Sequence, residues 1–127
     1  MGRASTPISV LLVEDEVLIS NLVAEWLVES GFSVHEARTA DEALDYLDSG
    51  ADVDVVFTDI NLPGSMNGAE LAAQVRQRRP DIPIVYASGR FRASEVGPLV
   101  PRSMFMPKPY NLEDVCKLLE RLAPVRH

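Results

Sequence analysis

The stretch VVFTDINLPG, residues 55–64, decides how the rest of the chain is interpreted. Its first residues are β-branched or aromatic, which is typical of a strand buried on both faces of a sheet. The strand ends on a carboxylate, Asp59, and the following Asn, Pro and Gly predict a turn. Placing a charged aspartate at the end of a buried strand is costly unless the carboxylate has a partner. The neighbouring segments indicate what that partner is.

Strand patterns and helix patterns alternate along the whole chain. An apolar run at residues 8–13 precedes a helical apolar period at residues 18–27, in which Trp26 is expected in the core. Further strands are predicted at residues 32–37, 53–58, 82–88 and 104–107, and further helices begin at a Thr39/Glu42 capping box, at Gly68 and at Asn111. This alternation predicts a parallel sheet covered by helices on both faces.

The expected fold is α/β: a flavodoxin-like, doubly wound, five-stranded parallel sheet in the order 2-1-3-4-5. Its topological switch point lies between strands one and three, which end at Glu14-Asp15 and at Asp59. The weakest segment is SEVGPLVP, residues 94–101, which contains one glycine and two prolines. The fourth helix is therefore expected to be short or degraded.

Length and composition fit one domain over residues 1–127, with its core at about residues 8–122. The hydrophobic content of 46% is ordinary, and no apolar run is long enough for a membrane span or a secretory signal, so a cytoplasmic location is expected. The single cysteine, Cys116, is expected in the core and excludes both an intramolecular disulfide and a cysteine-rich zinc site.

The charge is distributed unevenly. Residues 1–59 contain thirteen acidic and two basic side chains, whereas residues 60–127 contain six acidic and ten basic ones, for a net charge of -7. Nucleic-acid binding depends on clustered Lys and Arg, so a nucleic acid is not expected as the main partner.

Carboxylates from two strand ends at one switch point repel each other unless a cation lies among them. Mg²⁺, or Mn²⁺ in its place, suits such oxygen ligands, and no glycine-rich phosphate loop follows strand one. Ser88 ends strand four and supplies a hydroxyl, and Lys108 follows strand five and supplies an ammonium group. An aspartate, a metal ion, a hydroxyl and a cation are together what phosphoryl transfer requires.

At these positions the chain resembles the receiver domain of two-component response regulators, in particular the single-domain, chemotaxis-regulator-like kind. The motifs VLLVEDE, TDINLPG, VYASG and MPKPY occur in the order of that family, and the resemblance covers residues 8–122. It implies a phosphoprotein of a phosphorelay, with an aspartyl phosphate as the signalling species.

The resemblance also implies a role for each matching residue. It implies that Asp59 is the phosphoacceptor and that Ser88 and Lys108 are its catalytic contacts. It implies Asp15, Asp59 and the Asn61 backbone carbonyl as metal ligands, with Glu14 in the outer shell. Ser88 and Phe105 would be the switch residues, Asn61 and Arg90 would tune the loss of the phosphoryl group, and the Lys108-Pro109 bond would be cis.

Four features depart from the family pattern. Glu14 stands where an aspartate is common, and one extra residue between Asp59 and Gly68 predicts a bulging loop. Pro107 lies inside strand five, which an edge strand tolerates. The segment from Ser88 to Phe105 is about two residues short, so the dimer that the family forms through this face is not expected here.

The expected function is that of a stand-alone receiver and not of an enzyme. It would accept a phosphoryl group from a histidine kinase or a phosphotransfer protein, assist its own phosphorylation and dephosphorylation, and signal to a downstream protein as a monomer or weak dimer, with no nucleic acid or membrane as partner.

Three alternatives remain open. The chain could be a receiver excised from a hybrid histidine kinase. It could be a metal-dependent phosphatase of similar fold, although such enzymes usually have a second aspartate where Asn61 stands. It could also be a pseudo-receiver that serves only as a binding module, which predicts no Mg²⁺ binding.

Overall fold

The computed structural model describes residues 7–64, 66–88 and 100–123. Five strands and four helices lie in these ranges. They are β1 (Ser9–Val13), α1 (Val17–Glu29), β2 (Ser33–Ala37), α2 (Ala40–Asp48), β3 (Val55–Asp59), α3 (Gly68–Arg78), β4 (Ile84–Ser88), β5 (Ser103–Pro107) and α4 (Leu112–Leu122). The segment in which a short or degraded fourth helix is predicted, residues 94–101, lies outside the described ranges except for its last two residues.

The sheet is parallel throughout and has the strand order β2-β1-β3-β4-β5, which confirms the expected fold class. Val13 at the end of β1 is in register with Thr58, and Asp59 at the end of β3 is in register with Ala87. Because parallel strands end at the same edge, the segments after β1, β3 and β5 begin there, beside the last residue of β4. Pro107 lies on the edge strand β5, as predicted.

Two apolar cores lie on opposite faces of the sheet. Alternate residues of β1 face opposite sides because successive side chains of a strand do so. Leu11 and Val13 join the core under α2 and α3, whereas Val10 and Leu12 join the core under α1 and α4. Cys116 is buried in the second core, as expected. The central strands are thus buried on both faces, which explains their uninterrupted apolar sequence.

The prediction for Trp26 is wrong, because its side chain is 44% exposed. Helix α1 turns Ser20, Val23, Ala24 and Leu27 toward the sheet and leaves Leu18 and Leu22 at 84% and 61% exposure. Apolar residues lie on almost every side of this helix, so periodicity alone could not identify the buried face.

Capping also differs in one detail from the prediction. Thr39 accepts the Glu42 N–H at 3.1 Å, but the Glu42 carboxylate accepts from the Arg38 N–H at 3.4 Å, so the box at α2 is incomplete. A complete capping box begins α3 instead, where Asn67 and Glu70 each accept the other's backbone N–H. This reciprocal pair fixes the start of the helix that follows the loop after β3.

Among the described residues no helix is both long and apolar enough to cross a bilayer.

Candidate functional site

Three carboxylates meet at the switch point of the sheet. Asp59 ends β3, and Glu14 and Asp15 directly follow β1. One oxygen from each of the three side chains lies within 4.8 Å of the other two. The strand register causes this approach, since β1 and β3 are direct neighbours and end at the same level.

Glu14 is the most deeply placed of these groups, with 5% of the residue exposed. Its backbone N–H donates to the carbonyl of Ala37 at 3.0 Å, and its carboxylate accepts the N–H of Glu16 at 3.2 Å. Burial raises the pKa of Glu14 and the charge of Asp59 raises it further, against the opposing effect of the Glu16 N–H. The site therefore holds an acidic group that a nearby cation would stabilise as a carboxylate.

Lys108, directly after β5, supplies the positive charge of the site. Its Nζ lies 3.1 Å from Asp59 Oδ2 and 3.6 Å from Glu14 Oε1. Burial lowers the pKa of Lys108, but the hydrogen bond to Asp59 and the charges of Asp59 and Glu14 outweigh burial, so the net shift is upward. The ammonium group is consequently charged at neutral pH. The Lys108-Pro109 peptide bond is cis, as the resemblance implied.

Ser88 and Asn61 are the other polar residues beside Asp59. Ser88 is buried at the end of β4, and its backbone carbonyl accepts the N–H of Lys108 at 3.0 Å, which fixes the start of the lysine segment. Asn61 Nδ2 lies 3.4 Å from Ser88 Oγ, and the Asn61 N–H donates to Asp59 Oδ1 at 3.2 Å. Both carboxylate oxygens of Asp59 are therefore engaged, one by Asn61 and one by Lys108.

One further predicted residue, Phe105, lies on β5. Phe105 is partly buried, packs against the core under α2 and α3, and is in register with Tyr86 on β4. Arg90 lies outside the described residues.

Sequence reasoning gave no role to Tyr110 or Thr58, which line a cavity of about 10 Å³ together with Glu14 and Asp59. Burial raises the pKa of the Tyr110 phenol, and its ring packs edge-on against Phe57 with 5.7 Å between ring centroids. Tyr110 was visible in the motif MPKPY, but only the fold shows that its ring reaches the buried side of the carboxylates.

Gly68, which has no side chain, allows the start of α3 to approach the backbone of Asp59 and Ile60 closely. A Cβ at this position would overlap the carbonyl oxygen of Asp59 and lie 2.7 Å from the Cα of Ile60. The Gly68 N–H donates to the carbonyl of Ile60 at 2.8 Å and closes the loop after β3. The expected bulge of this loop stays a prediction, because Ser65 lies outside the described residues.

The donor set suits a small hard cation. Two buried or nearly buried carboxylates repel each other, and the third, Asp15, is more exposed than Glu14 and adds a further oxygen. Mg²⁺ prefers one or two carboxylates and keeps several waters, which fits a cluster that is open on one side. Fold and site together define a class: a doubly wound α/β protein whose switch point combines an acidic cation site with a charged lysine.

The model of one protein family matches residues 10–120, and its description is the response regulator receiver domain. The chain belongs to this family, which is part of two-component signalling. Proteins of this family are generally phosphoacceptors and not classical enzymes, and they typically bind Mg²⁺.

Among curated proteins, the chain is 32% identical over 117 residues to the sensor kinase CckA of Brucella abortus and covers 12% of that protein. It is 34% identical over 115 residues to the nitrogen assimilation regulatory protein NtrX of Azorhizobium caulinodans and covers 25% of it. These alignments take in 90% and 88% of this chain. The chain thus spans a quarter or less of the length of these two relatives.

Solved structures of similar length also match. A response regulator receiver protein from Sinorhizobium medicae has a TM-score of 0.85 at 29% identity, with 91% of this chain and 94% of that chain covered. The chemotaxis response regulator CheY4 of Vibrio cholerae has a TM-score of 0.80 at 30% identity, with coverages of 92% and 99%.

Proposed function

We propose that Asp59 accepts a phosphoryl group from a phosphohistidine on a histidine kinase or phosphotransfer protein. The observation that carries the proposal is the environment of this carboxylate. It stands at the tip of a central strand, in contact with the Lys108 ammonium and within 4.8 Å of two further carboxylates. A nucleophile, a fixed cation and ligands for a metal ion therefore surround one point.

In this proposal an oxygen of Asp59 forms a bond to phosphorus while the bond from phosphorus to the donor nitrogen breaks. The electron pair of the broken bond stays on the imidazole. Lys108 stabilises the negative charge of the phosphoryl oxygens, and the Ser88 hydroxyl donates a hydrogen bond to them. Lys108 already contacts Asp59, so its positive charge is in place before the transfer begins.

The residues that would hold Mg²⁺ are Asp15, Asp59 and the backbone carbonyl of Asn61, with Glu14 in the outer shell. The ion would offset the repulsion between the acceptor carboxylates and the incoming phosphoryl oxygens. Mn²⁺ would serve in the same position.

For the output of the signal, we propose Ser88 and Phe105 as the residues that rearrange on phosphorylation. Phe105 lies on β5 in register with Tyr86 on β4, the strand that ends at Ser88, and packs against the core under α2 and α3. Asn61 lies two residues beyond Asp59 and Arg90 two beyond Ser88, and both would tune how fast the aspartyl phosphate is hydrolysed.

The direct test uses a small phosphodonor. Incubation with acetyl phosphate and Mg²⁺ should produce a single adduct of about 80 Da, the mass that one phosphoryl group adds, by intact-protein mass spectrometry. Treatment with a chelator should prevent it. Labelling that proceeds equally without a divalent ion would contradict the proposed role of the metal.

Metal binding can be measured separately from phosphorylation. Mg²⁺ at a hundredfold excess over its Kd should stabilise the fold by about 2.7 kcal/mol, because the ion binds only where the three carboxylates are assembled. Asp15→Asn should weaken Mg²⁺ binding about tenfold or more in a calorimetric titration, which corresponds to about 1.4 kcal/mol. Asp41→Asn, which changes an exposed carboxylate on α2, is the matched control and should bind Mg²⁺ normally.

An apolar groove adjoins the site. A groove of about 560 Å³ between α1 and the segment before α4 is lined by Ile19, Leu22, Val23, Lys108, Pro109, Tyr110 and Leu112. Lys108 is both part of this groove and in contact with Asp59, so the groove borders the proposed acceptor. We therefore propose that the apolar groove receives the helix of the donor that bears the phosphohistidine.

This placement predicts that Leu22→Asp slows transfer from a phosphorylated donor protein about tenfold or more while labelling by acetyl phosphate is unchanged. A small donor needs no apolar contact with α1. Val28→Asp is the control, since Val28 is similarly exposed, at 55% against 61%, on the same helix but does not line the groove. Equal transfer rates for the two variants, measured with a phosphorylated kinase, would rule this groove out.

One alternative has a feature against it in the structure. A phosphatase of similar fold would need an acid/base group where Asn61 stands, but the Asn61 side chain is an amide that contacts Ser88, and it is the Asn61 backbone N–H that donates to Asp59. Stand-alone operation, and protein contact as the route of output, are part of the proposal. A receiver within a longer hybrid kinase would have the same site.

A further inference from the structure

A second cavity lies at the end of the sheet opposite the carboxylates. Its volume is about 310 Å³, and its wall includes Val53, which directly precedes Asp54 and β3. Val53 is six residues from Asp59, which corresponds to about 20 Å along an extended strand. This cavity is therefore separate from the proposed phosphoacceptor site.

Three arginines line this cavity, which we call the arginine cavity: Arg78 and Arg79 at the end of α3, and Arg102 in the turn before β5. Arg79 Nη2 donates to the carbonyls of Leu47 and Ala51, both at 3.0 Å. Arg102 Nε donates to the carbonyl of Asp81 at 3.1 Å. Backbone acceptors thus hold both guanidinium groups in place.

These bonds use only part of the donor capacity of each guanidinium, which has five N–H groups. Within residues 7–64, 66–88 and 100–123, the other guanidinium nitrogens of Arg79 and Arg102 have no hydrogen-bond partner. Arg78 differs, because its Nε and Nη1 are bonded to Asp48 and Gln74. The available donors are therefore concentrated on Arg79 and Arg102.

Two carboxylates, Asp54 and Asp81, also line the arginine cavity. Asp54 accepts the backbone N–H of Ser9 at 2.8 Å. Arg76, which is not part of the lining, donates to the carbonyls of Arg79 at 2.9 Å and of Pro101 at 2.6 Å and so ties the two arginine-bearing segments together. Three arginines and two aspartates give the lining a net charge of +1 in a chain whose total charge is -7, and Arg78 is also paired with Asp48. The remaining N–H groups of Arg79 and Arg102, rather than the net charge, are what favour an anion here.

We propose that the arginine cavity binds a small organic phosphate, with the phosphate on Arg79 and Arg102. Arg102 keeps Nη1 and Nη2 for two parallel hydrogen bonds to a phosphate, whereas Arg79, whose two Nη2 N–H groups are used, would add single hydrogen bonds from Nε or Nη1. The volume is at the lower end of the range for small-molecule sites and larger than a phosphate ion needs. Val53, Ile82 and Pro83 give the cavity an apolar wall on which the organic part would pack.

The test is a titration of the full chain by isothermal calorimetry in the presence of a chelator, with AMP, adenosine and inorganic phosphate as probes. AMP should bind saturably and at least tenfold more tightly than inorganic phosphate, and adenosine should not bind. Amide chemical-shift changes by NMR should appear at the start of β3 and the end of α3. Changes confined to the carboxyl ends of the strands, or equal affinities for AMP and inorganic phosphate, would overturn the proposal.

Arg102→Asn is the informative variant, because Arg102 has a φ of 60° and asparagine tolerates this left-handed conformation. It should weaken AMP binding at least tenfold and leave acetyl phosphate labelling unchanged. Arg121→Asn removes an exposed arginine from the last turn of α4 and should change neither. If the two variants bind AMP equally, the arginine cavity is not the site. Because labelling and AMP binding are measured separately, this proposal can fail independently of the proposed function.

Discussion

Asp59→Asn should abolish the phosphoryl adduct formed from acetyl phosphate and Mg²⁺. The amide has nearly the shape of the carboxylate but lacks a nucleophilic anionic oxygen, so no bond to phosphorus forms. The neighbours Asn61 and Lys108 remain in place, and therefore the chemistry is lost without loss of the site's framework. Intact-protein mass spectrometry measures the outcome directly.

The fold of this variant should be preserved. Asparagine at position 59 removes one of three clustered negative charges, so the repulsion with Glu14 falls while the buried strand β3 is unchanged. We expect a melting temperature close to that of the unsubstituted protein without metal, and a smaller stabilisation by Mg²⁺. Asp52→Asn, at an exposed position before β3, is the matched control and should be labelled normally. Undiminished labelling of Asp59→Asn would place the acceptor elsewhere.

Lys108→Met should slow phosphorylation by about 10² to 10³-fold, the effect typical of removing one group that stabilises charge in a transition state. Methionine retains much of the apolar stem but removes the ammonium that lies 3.1 Å from Asp59. The amount of adduct at one late time point would not reveal a slower rate, because labelling could already be complete. The rate of labelling should therefore be followed over time at saturating Mg²⁺.

The same variant should bind Mg²⁺ as well as, or better than, the unsubstituted protein. The ammonium contacts both Asp59 and Glu14, so it competes with a metal ion for the same negative charge. Faster labelling, or a loss of Mg²⁺ affinity that accounts for the slower rate, would contradict the role assigned to Lys108. Lys117→Met, at an exposed position on α4, controls for the loss of a positive charge and should leave both quantities unchanged.

Much of the site could be inferred from the order of the strands. Asp59, Asp15 and Lys108 each follow a segment with a strand pattern, and parallel strands necessarily end at one edge of the sheet. Once the order 2-1-3-4-5 is expected, the residues after strands one and three must be neighbours, and the residue after strand five lies at the same edge of the sheet, two strands from strand three. The sequence also showed which types of side chain would meet there.

Other features depended on packing that the sequence does not show. The apolar period of α1 contains more apolar residues than one face needs, so the exposure of Trp26 and Leu22 became visible only when Val23 and Leu27 were seen against the sheet. The role of Tyr110 depends on a ring that turns back toward Glu14.

The sequence by itself determined the fold class and the acidic tips of β1 and β3, because strand and helix periods and charged residues at strand ends are local properties of the chain. Only the tertiary structure decided how close the groups come: the 3.1 Å contact of Lys108 with Asp59, the buried position of Glu14, and the arginine cavity. The arginines of that cavity come from α3 and from the turn before β5, which are far apart in the chain. Their meeting depends on the packing of α3 beside β4 and β5, which no local pattern of residues encodes.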